Sequence, residues 1–262
     1  MIELSPASQW IYKKYNELEN TLETNLQTYT LGHSIDALYR YLWDYYADWY
    51  VEYLKTDPSQ AEFAKELFAQ LIITLHPYMP FETEALWAQL HGDTQLLANV
   101  TKDSDFGTKY ATDKDDIAQF ESVTALVMTL RSMRGLFAID PGTRLEVTTT
   151  NETLLKYKDF LALVAKVTLL QGDPQPYTLE ANHYKVSLDI LQYIEDKEQQ
   201  IARTNKTITN IEKQITGLEK KLQNEKFITN ASTDVITEAK ENLSKRRKEK
   251  EQQEEKLRIL KT

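Results

Sequence analysis

The chain has 262 residues, 41% of them hydrophobic and 27% charged, with only 7 Gly and 7 Pro, a balance that favours helices over sandwiches or barrels. A formal net charge of −9 by itself argues against a nucleic-acid binder, and the lack of cysteine excludes disulfides, thiolate zinc sites and cysteine nucleophiles. No apolar run approaches the roughly 18 residues of a membrane span, and Met-Ile-Glu-Leu-Ser-Pro has no signal-peptide character, so a soluble cytoplasmic chain is expected.

In chain order, Ser5-Pro6 reads as a helix cap followed by a first-turn proline. Trp10, Ile11, Tyr15, Leu18, Leu22 and Leu26 recur at helical spacing after it. Gly32 interrupts the pattern. A second helix is expected from Ser34 to Leu54, with Ile35, Leu38, Leu42, Tyr45, Trp49 and Tyr53 on one side. Asp57-Pro58 opens a third, striped by Phe63, Leu67, Leu71 and Leu75, and His76-Pro77 closes it, because a residue before proline avoids the α region. A fourth covers Phe81 to Leu90 and stops at Gly92. Such amphipathic helices with short connections pack as a bundle. The aromatic run Tyr39 to Tyr53 is dense enough for base stacking, but its distribution around the helix favours core packing.

Residues 93–114 are polar and aperiodic and read as a surface loop. A fifth helix is expected from Asp115 to Phe137, with Ile117, Phe120, Leu126, Leu130 and Met133 inward. After the turn at Pro141-Gly142, Arg144–Thr150 alternates as a strand. Leu154–Leu163 reads as helix. Short strands are expected at 167–170, 177–179 and 184–186, split by Gly172-Asp173-Pro174 and Asn182. These make a small α/β subdomain.

From Leu188 the texture changes again. Ile194, Ile201, Ile208, Ile215 and Leu222 lie seven apart, and Ile190, Ile211 and Leu218 fill the partner positions, an a/d heptad. Lys197 and Thr204 make the seam polar near its base. Residues 224–230 break the phase. A second helix from Ser232 carries Ile236, Ala239, Leu243, Leu257 and Leu260 in register, with Arg246, Lys250 and Gln253 in its middle seam. So short a reversal forces antiparallel pairing. Charge is divided along the same line: residues 188–262 hold 16 Lys+Arg against 14 Asp+Glu, a balance of +2, and the remainder holds 15 against 26, a balance of −11.

Such a hairpin is a spacer or oligomerisation element unless it carries a specific patch. Lys245-Arg246-Arg247-Lys248 is one, with Lys240, Lys250, Lys220, Lys221 and Lys226 near in sequence, and it suits phosphate contacts. Phe227 and Ile228 at the turn either cap the coiled coil or stack on an exposed base. The body offers Arg131, Arg134 and Arg144. No catalytic constellation is present: the histidines (33, 76, 91 and 183) lack ligand spacing, His76 is a structural cap or core residue, and Glu82 and Glu84 sit on different helix faces.

Several stretches resemble the C-terminal region of class I aminoacyl-tRNA synthetases of the valyl type. They are Ser5-Pro-Ala-Ser-Gln-Trp-Ile11, Tyr41-Leu-Trp-Asp-Tyr-Tyr-Ala-Asp-Trp-Tyr50, His76-Pro-Tyr-Met-Pro-Phe-Glu-Thr-Glu-Ala-Leu-Trp87, Leu130-Arg-Ser-Met-Arg134 with Pro141, and Lys221-Leu-Gln-Asn-Glu-Lys-Phe227 with Ala231 and Val235-Ile236. The nucleotide-binding signatures His-Ile-Gly-His and Lys-Met-Ser-Lys-Ser are absent, and Leu31-Gly-His33 does not replace them. The editing domain is also absent. Near Ser232 the family's proline is replaced, residues 93–114 lack its Trp-Pro, and 134–140 lack its usual glutamate.

The resemblance implies a mainly α fold: an anticodon-binding bundle over 1–137, a small α/β subdomain over 138–187, and an antiparallel coiled-coil tRNA-binding arm over 188–262. It implies tRNA(Val) as partner, held at its anticodon stem-loop and outer corner during an aminoacylation catalysed elsewhere. Contacts are expected from Arg131, Arg134, Arg144, Lys220, Lys221, Lys226, Phe227, Lys240, Lys245, Arg246, Arg247 and Lys248. No cofactor or metal is expected in this chain, ATP and Mg belonging to the implied catalytic domain, covalent or associated. A monomer without membrane contact is expected.

Overall fold

The Ser5 side chain accepts the Ser8 amide at 3.3 Å, and Pro6 opens helix α1 (Pro6–Gln27), as a cap before proline should. The computed structural model describes residues 3–92, 95–100, 103 and 105–262; the side chains of Lys226, Ile228 and Asn230 also fall outside that description. After α1 come α2 (Leu31–Arg40), a π-helical stretch (Tyr41–Val51), α3 (Glu52–Leu54), α4 (Ala61–Leu75) and α5 (Pro80–His91). Then follow α6 (Lys114–Phe137), β1 (Leu145–Thr149), α7 (Glu152–Leu155), α8 (Lys158–Val164), β2 (Val167–Gln171), β3 (Tyr177–Ala181) and β4 (Tyr184–Leu188). The hairpin is α9 (Lys197–Gln223), α10 (Glu225–Asn230) and α11 (Thr233–Lys261). The fold is mainly α with one small sheet.

The chain divides into two compact units. The first comprises residues 1–128, 151–169 and 180–185. Its centre is aromatic: Phe120 packs against Trp10 at 5.2 Å, Tyr53 at 5.5 Å and Phe160 at 5.7 Å between ring centroids. Several polar atoms in this core are partnered across elements, as burial favours, whereas Ser34 Oγ and Gln70 Oε1 have no hydrogen-bond partner among the described residues. Ser8 Oγ pairs with Tyr50 Oη at 2.9 Å, and Tyr15 Oη with Thr74 Oγ1 at 3.0 Å. Gln9 ties α1 to the start of α6, accepting the Asp113 amide at 2.6 Å and donating to Asp116 at 2.8 Å. His76 is the structural residue expected: it bonds Thr83 Oγ1 at 2.8 Å between α4 and α5. Glu84 accepts the Leu97 and Ala98 amides at 2.9 and 3.0 Å, which draws its pKa down.

Three expectations for this unit need correction. Leu26 is exposed, because the last turns of α1 run beyond the packed core. In the second helix, Ile35 is 58% exposed, while Tyr41 and Tyr50 are buried. Wider i→i+5 winding from Tyr41 respaces the inward set to Tyr41, Tyr45–Tyr46, Trp49–Tyr50 and Tyr53, half-buried at 45–46. Tyr39 and Trp43, 62% and 60% exposed, stack on one another with 9° between their rings, so the aromatic run is core on one side only. Residues 93–114 do not form a plain surface loop. Residues 93, 94, 101, 102 and 104 lie outside the described set, but Leu97, Phe106 and Tyr110 are buried. Phe106 and Tyr110 meet Tyr12 edge-on, each at 5.6 Å. Isolated anchors of this kind leave no period to read.

The second unit comprises residues 129–150, 170–179 and 186–262. The sheet, whose strand residues are divided between the units, has the order β2-β1-β4-β3. β1 pairs antiparallel with β4, Thr148 opposite Ser187. Leu145, Val147 and Thr149 are buried, the alternation expected. β3 and β4 are joined at Asn182, whose φ of 50° is tolerated best by Gly, Asn and Asp.

The arm follows the heptads from Ile201 onward. Thr204 and Ile211 are buried, and Ile201, Ile208, Ile215, Leu218 and Leu222 are half-buried. From α11, Ala239 and Leu260 are buried, and Ile236, Leu243, Arg246, Lys250, Gln253 and Leu257 half-buried. The start is corrected: Ile190 belongs to a 3-10 turn (Ile190–Tyr193) and α9 begins only at Lys197, capped by Asp196. The seam is therefore shorter than the spacing predicts.

Candidate nucleic-acid interface

Most apolar residues of the arm's helices line the seam, Val235 being exposed, and the outward faces are largely polar and charged. The four-residue basic run splits by role. Arg246 lies half-buried at the seam and donates to Glu249 at 2.6 Å. Arg247 reaches across the hairpin to Glu219 at 2.7 Å. Lys250, one turn on, bridges to Glu212 of α9 at 2.8 Å and to Glu254 at 3.4 Å; the Glu212 hydrogen bond raises its pKa. Lys245 and Lys248 are exposed, enter no ion pair among the described residues, and line a shallow groove with Glu241, Ser244, Glu249 and Gln252. Sequence spacing alone required that at least two of the four point outward. The structure leaves three of them exposed, Lys245, Arg247 and Lys248, of which Arg247 is held in an ion pair.

Towards the tip, Lys220 and Lys240 are exposed. Lys221 places its ammonium 4.7 Å from the centre of the half-buried Phe227 ring, an arrangement that holds the ring by its face. The expectations for the side chains of Lys226 and Ile228 lie outside the described residues.

The body's arginines differ among themselves. Arg131 and Arg144 are exposed. Arg134 is only 5% exposed. Its Nη1 donates to the Asp140 carbonyl at 3.2 Å, and burial lowers its pKa while Asp140 pulls it up. It stands in the last turn of α6 and reaches the turn that follows, off the surface expected of it; Met133 and Phe137 of the same helix end are also buried.

Sequence reasoning missed two polar residues at the arm's base. Lys256, 8% exposed, donates to the Leu136 carbonyl at 2.6 Å. Gln200 donates to the Phe137 carbonyl at 2.6 Å. Neither stands at an apolar seam position, so the heptad gives no signal for them.

Two family models match the chain. The family model described as the anticodon-binding domain of tRNA ligase matches residues 8–149. That described as the valyl tRNA synthetase tRNA binding arm matches residues 196–261. A valine–tRNA ligase of Syntrophotalea carbinolica is 26% identical over 99% of this chain and 30% of its own length. One from Carboxydothermus hydrogenoformans is 28% identical over 98% of this chain and 31% of its own. One from Bacteroides thetaiotaomicron is 27% identical over 88% and 27%. The chain thus spans about 30% of the length of these curated relatives. With more than half of its residues inside the first family model, the chain belongs to the anticodon-binding domain family of tRNA ligases, in the valyl-type form that continues into a tRNA-binding arm.

Proposed function

We propose that this chain holds tRNA(Val), the bundle at the anticodon stem-loop and the arm at the outer corner, while a separate catalytic domain attaches valine. The observation that carries this is Lys245 and Lys248 standing exposed, with no ion pair among the described residues, on a hairpin whose Arg246, Arg247 and Lys250 are engaged within the arm. Phosphate contacts of this type supply affinity without reading sequence. Lys220, Lys240, Arg131 and Arg144 are exposed cations for the same task. The acidic remainder disfavours misdocked RNA by like-charge repulsion. ATP and Mg would act in the catalytic domain. No helix among the described residues is long and apolar enough to cross a membrane, and a cytoplasmic location suits a tRNA partner.

The rival reading, an oligomerising coiled coil, loses its motive: the heptad positions of α9 are met by those of α11 within the same hairpin. Hydroxyl-radical footprinting of tRNA(Val) with this chain is the test. Protection of the anticodon stem-loop and the outer corner is expected. Uniform cleavage at saturating protein would overturn the proposal.

A further inference from the structure

The last four carbonyls of a helix have no partner within it, and those of α6 are all accounted for. The Arg134 carbonyl accepts the Ile139 amide at 2.9 Å, and the Gly135 carbonyl accepts the Ala138 amide at 3.3 Å. Ala138 takes the left-handed conformation (φ 53°) that such a helix end requires. The next two are closed from outside the helix, by the arm. Lys256 of α11 donates to Leu136 and Gln200 of α9 donates to Phe137, both at 2.6 Å. Each long helix of the hairpin therefore supplies one hydrogen bond to the same turn of α6.

The charge belongs there. The ammonium of Lys256 sits at the negative end of the α6 dipole and 5.8 Å from the centre of the Phe137 ring. It forms no ion pair among the described residues. Desolvation lowers its pKa, the ordinary consequence of burying a cation. A cavity of about 250 Å³ adjoins it, lined also by Gln200, Arg203, Tyr193 and Asp140. The chain enters α9 directly after the turn at Ile190–Tyr193, whereas α11 is reached only through the arm's tip. The base of α11 is joined to the last turn of α6 by the Lys256 side chain.

We infer that Lys256 and Gln200 form a two-pronged clasp that fixes the direction of the arm relative to the end of α6. They are positioning residues: they keep Lys245 and Lys248 in a set place for the RNA. The functional part of this inference rests on the tRNA-binding reading, but the clasp itself is measurable without RNA.

The chain has no cysteine, so Glu146→Cys in β1 and Thr237→Cys in α11, both exposed, can be spin-labelled uniquely. Double electron–electron resonance should give a narrow distance distribution in the otherwise unchanged chain. In Lys256→Met combined with Gln200→Leu, the distribution should broaden while the helical signal at 222 nm holds. Lys256→Arg should restore most of the narrowness. With the clasp broken, tRNA(Val) should bind roughly tenfold more weakly, from lost preorganisation, at an unchanged salt slope. An unchanged narrow distribution in the double variant overturns the clasp. Should that variant lose helicity, Gln200→Leu alone decides, since it removes one prong and leaves Lys256: broadening supports the clasp and an unchanged distribution refutes it. A broadened distribution with unchanged tRNA affinity would retain the clasp and remove its role in binding.

Discussion

The bundle and the arm are both helical, yet they are held together differently. The bundle buries whole aromatic rings, Phe120 among Trp10, Tyr53, Tyr157 and Phe160. The arm buries a narrow seam in which Thr204 stands where an apolar residue is usual, and Arg246 and Lys250 fill half-buried positions. Burial of large side chains is the main source of stability. Ion pairs across an exposed hairpin add little and are screened by salt. The comparison teaches that the body can tolerate an acidic surface because its core is self-sufficient. The arm depends on its few buried residues and on its fastening to α6, which leaves its outer face available for charge.

The sharpest way to separate the regions is to empty the aromatic core. Phe120→Ala should cost about 3–5 kcal/mol and lower the melting temperature of the bundle, read by near-ultraviolet circular dichroism. Ile211→Ala, at a buried seam position, should cost about 2–4 kcal/mol. Its effect should appear as faster amide exchange in α9 and α11, with the bundle unchanged. Faster exchange throughout the chain would contradict the separation.

Alkaline pH should divide them as well. Burial raises the pKa of Tyr15, Tyr46 and Tyr53 to about 12 each, above an unfolded value near 10. The folded state therefore binds more protons between these values, and stability falls as pH rises from about 10 towards 12. No tyrosine occurs after Tyr193, so this loss belongs to the bundle. Tyrosinate absorbance should rise together with loss of the aromatic circular dichroism signal. Ionisation of Tyr15, Tyr46 and Tyr53 themselves near pH 10, with the signal intact, would contradict it. The smallest effect is expected from Glu219→Gln, which removes the carboxylate facing Arg247 across the arm: at most about 1 kcal/mol, vanishing at high salt.

Much of this was legible in the chain. The arm's seam from Ile201 to Leu260 can be read residue by residue, because every second-helix heptad position is at least half-buried. The Ser5-Pro6 start, the inward face of α6 and the alternation of β1 follow from local rules. What was not legible depends on other parts of the fold. Respacing in the π-helical stretch exchanges Ile35 for Tyr41 and Tyr50. Phe106 and Tyr110 are anchors without a period. Arg134 looks like a surface cation until the turn after α6 folds over it. Lys256 and Gln200 have a purpose only once the arm meets the last turn of α6.

The central claim is that the outward lysines of the arm contact RNA phosphates. It is tested most directly by the salt dependence of tRNA(Val) binding, measured by fluorescence anisotropy for the unchanged chain and for Lys245→Ala with Lys248→Ala. Each lost phosphate contact should reduce the slope of log K against log salt by about 0.7–0.9, so the double variant should bind more weakly and with a slope shallower by about 1 to 2. Arg247→Ala, whose guanidinium is engaged with Glu219, should change the slope less. Equal affinity and equal slope in the double variant would contradict the account.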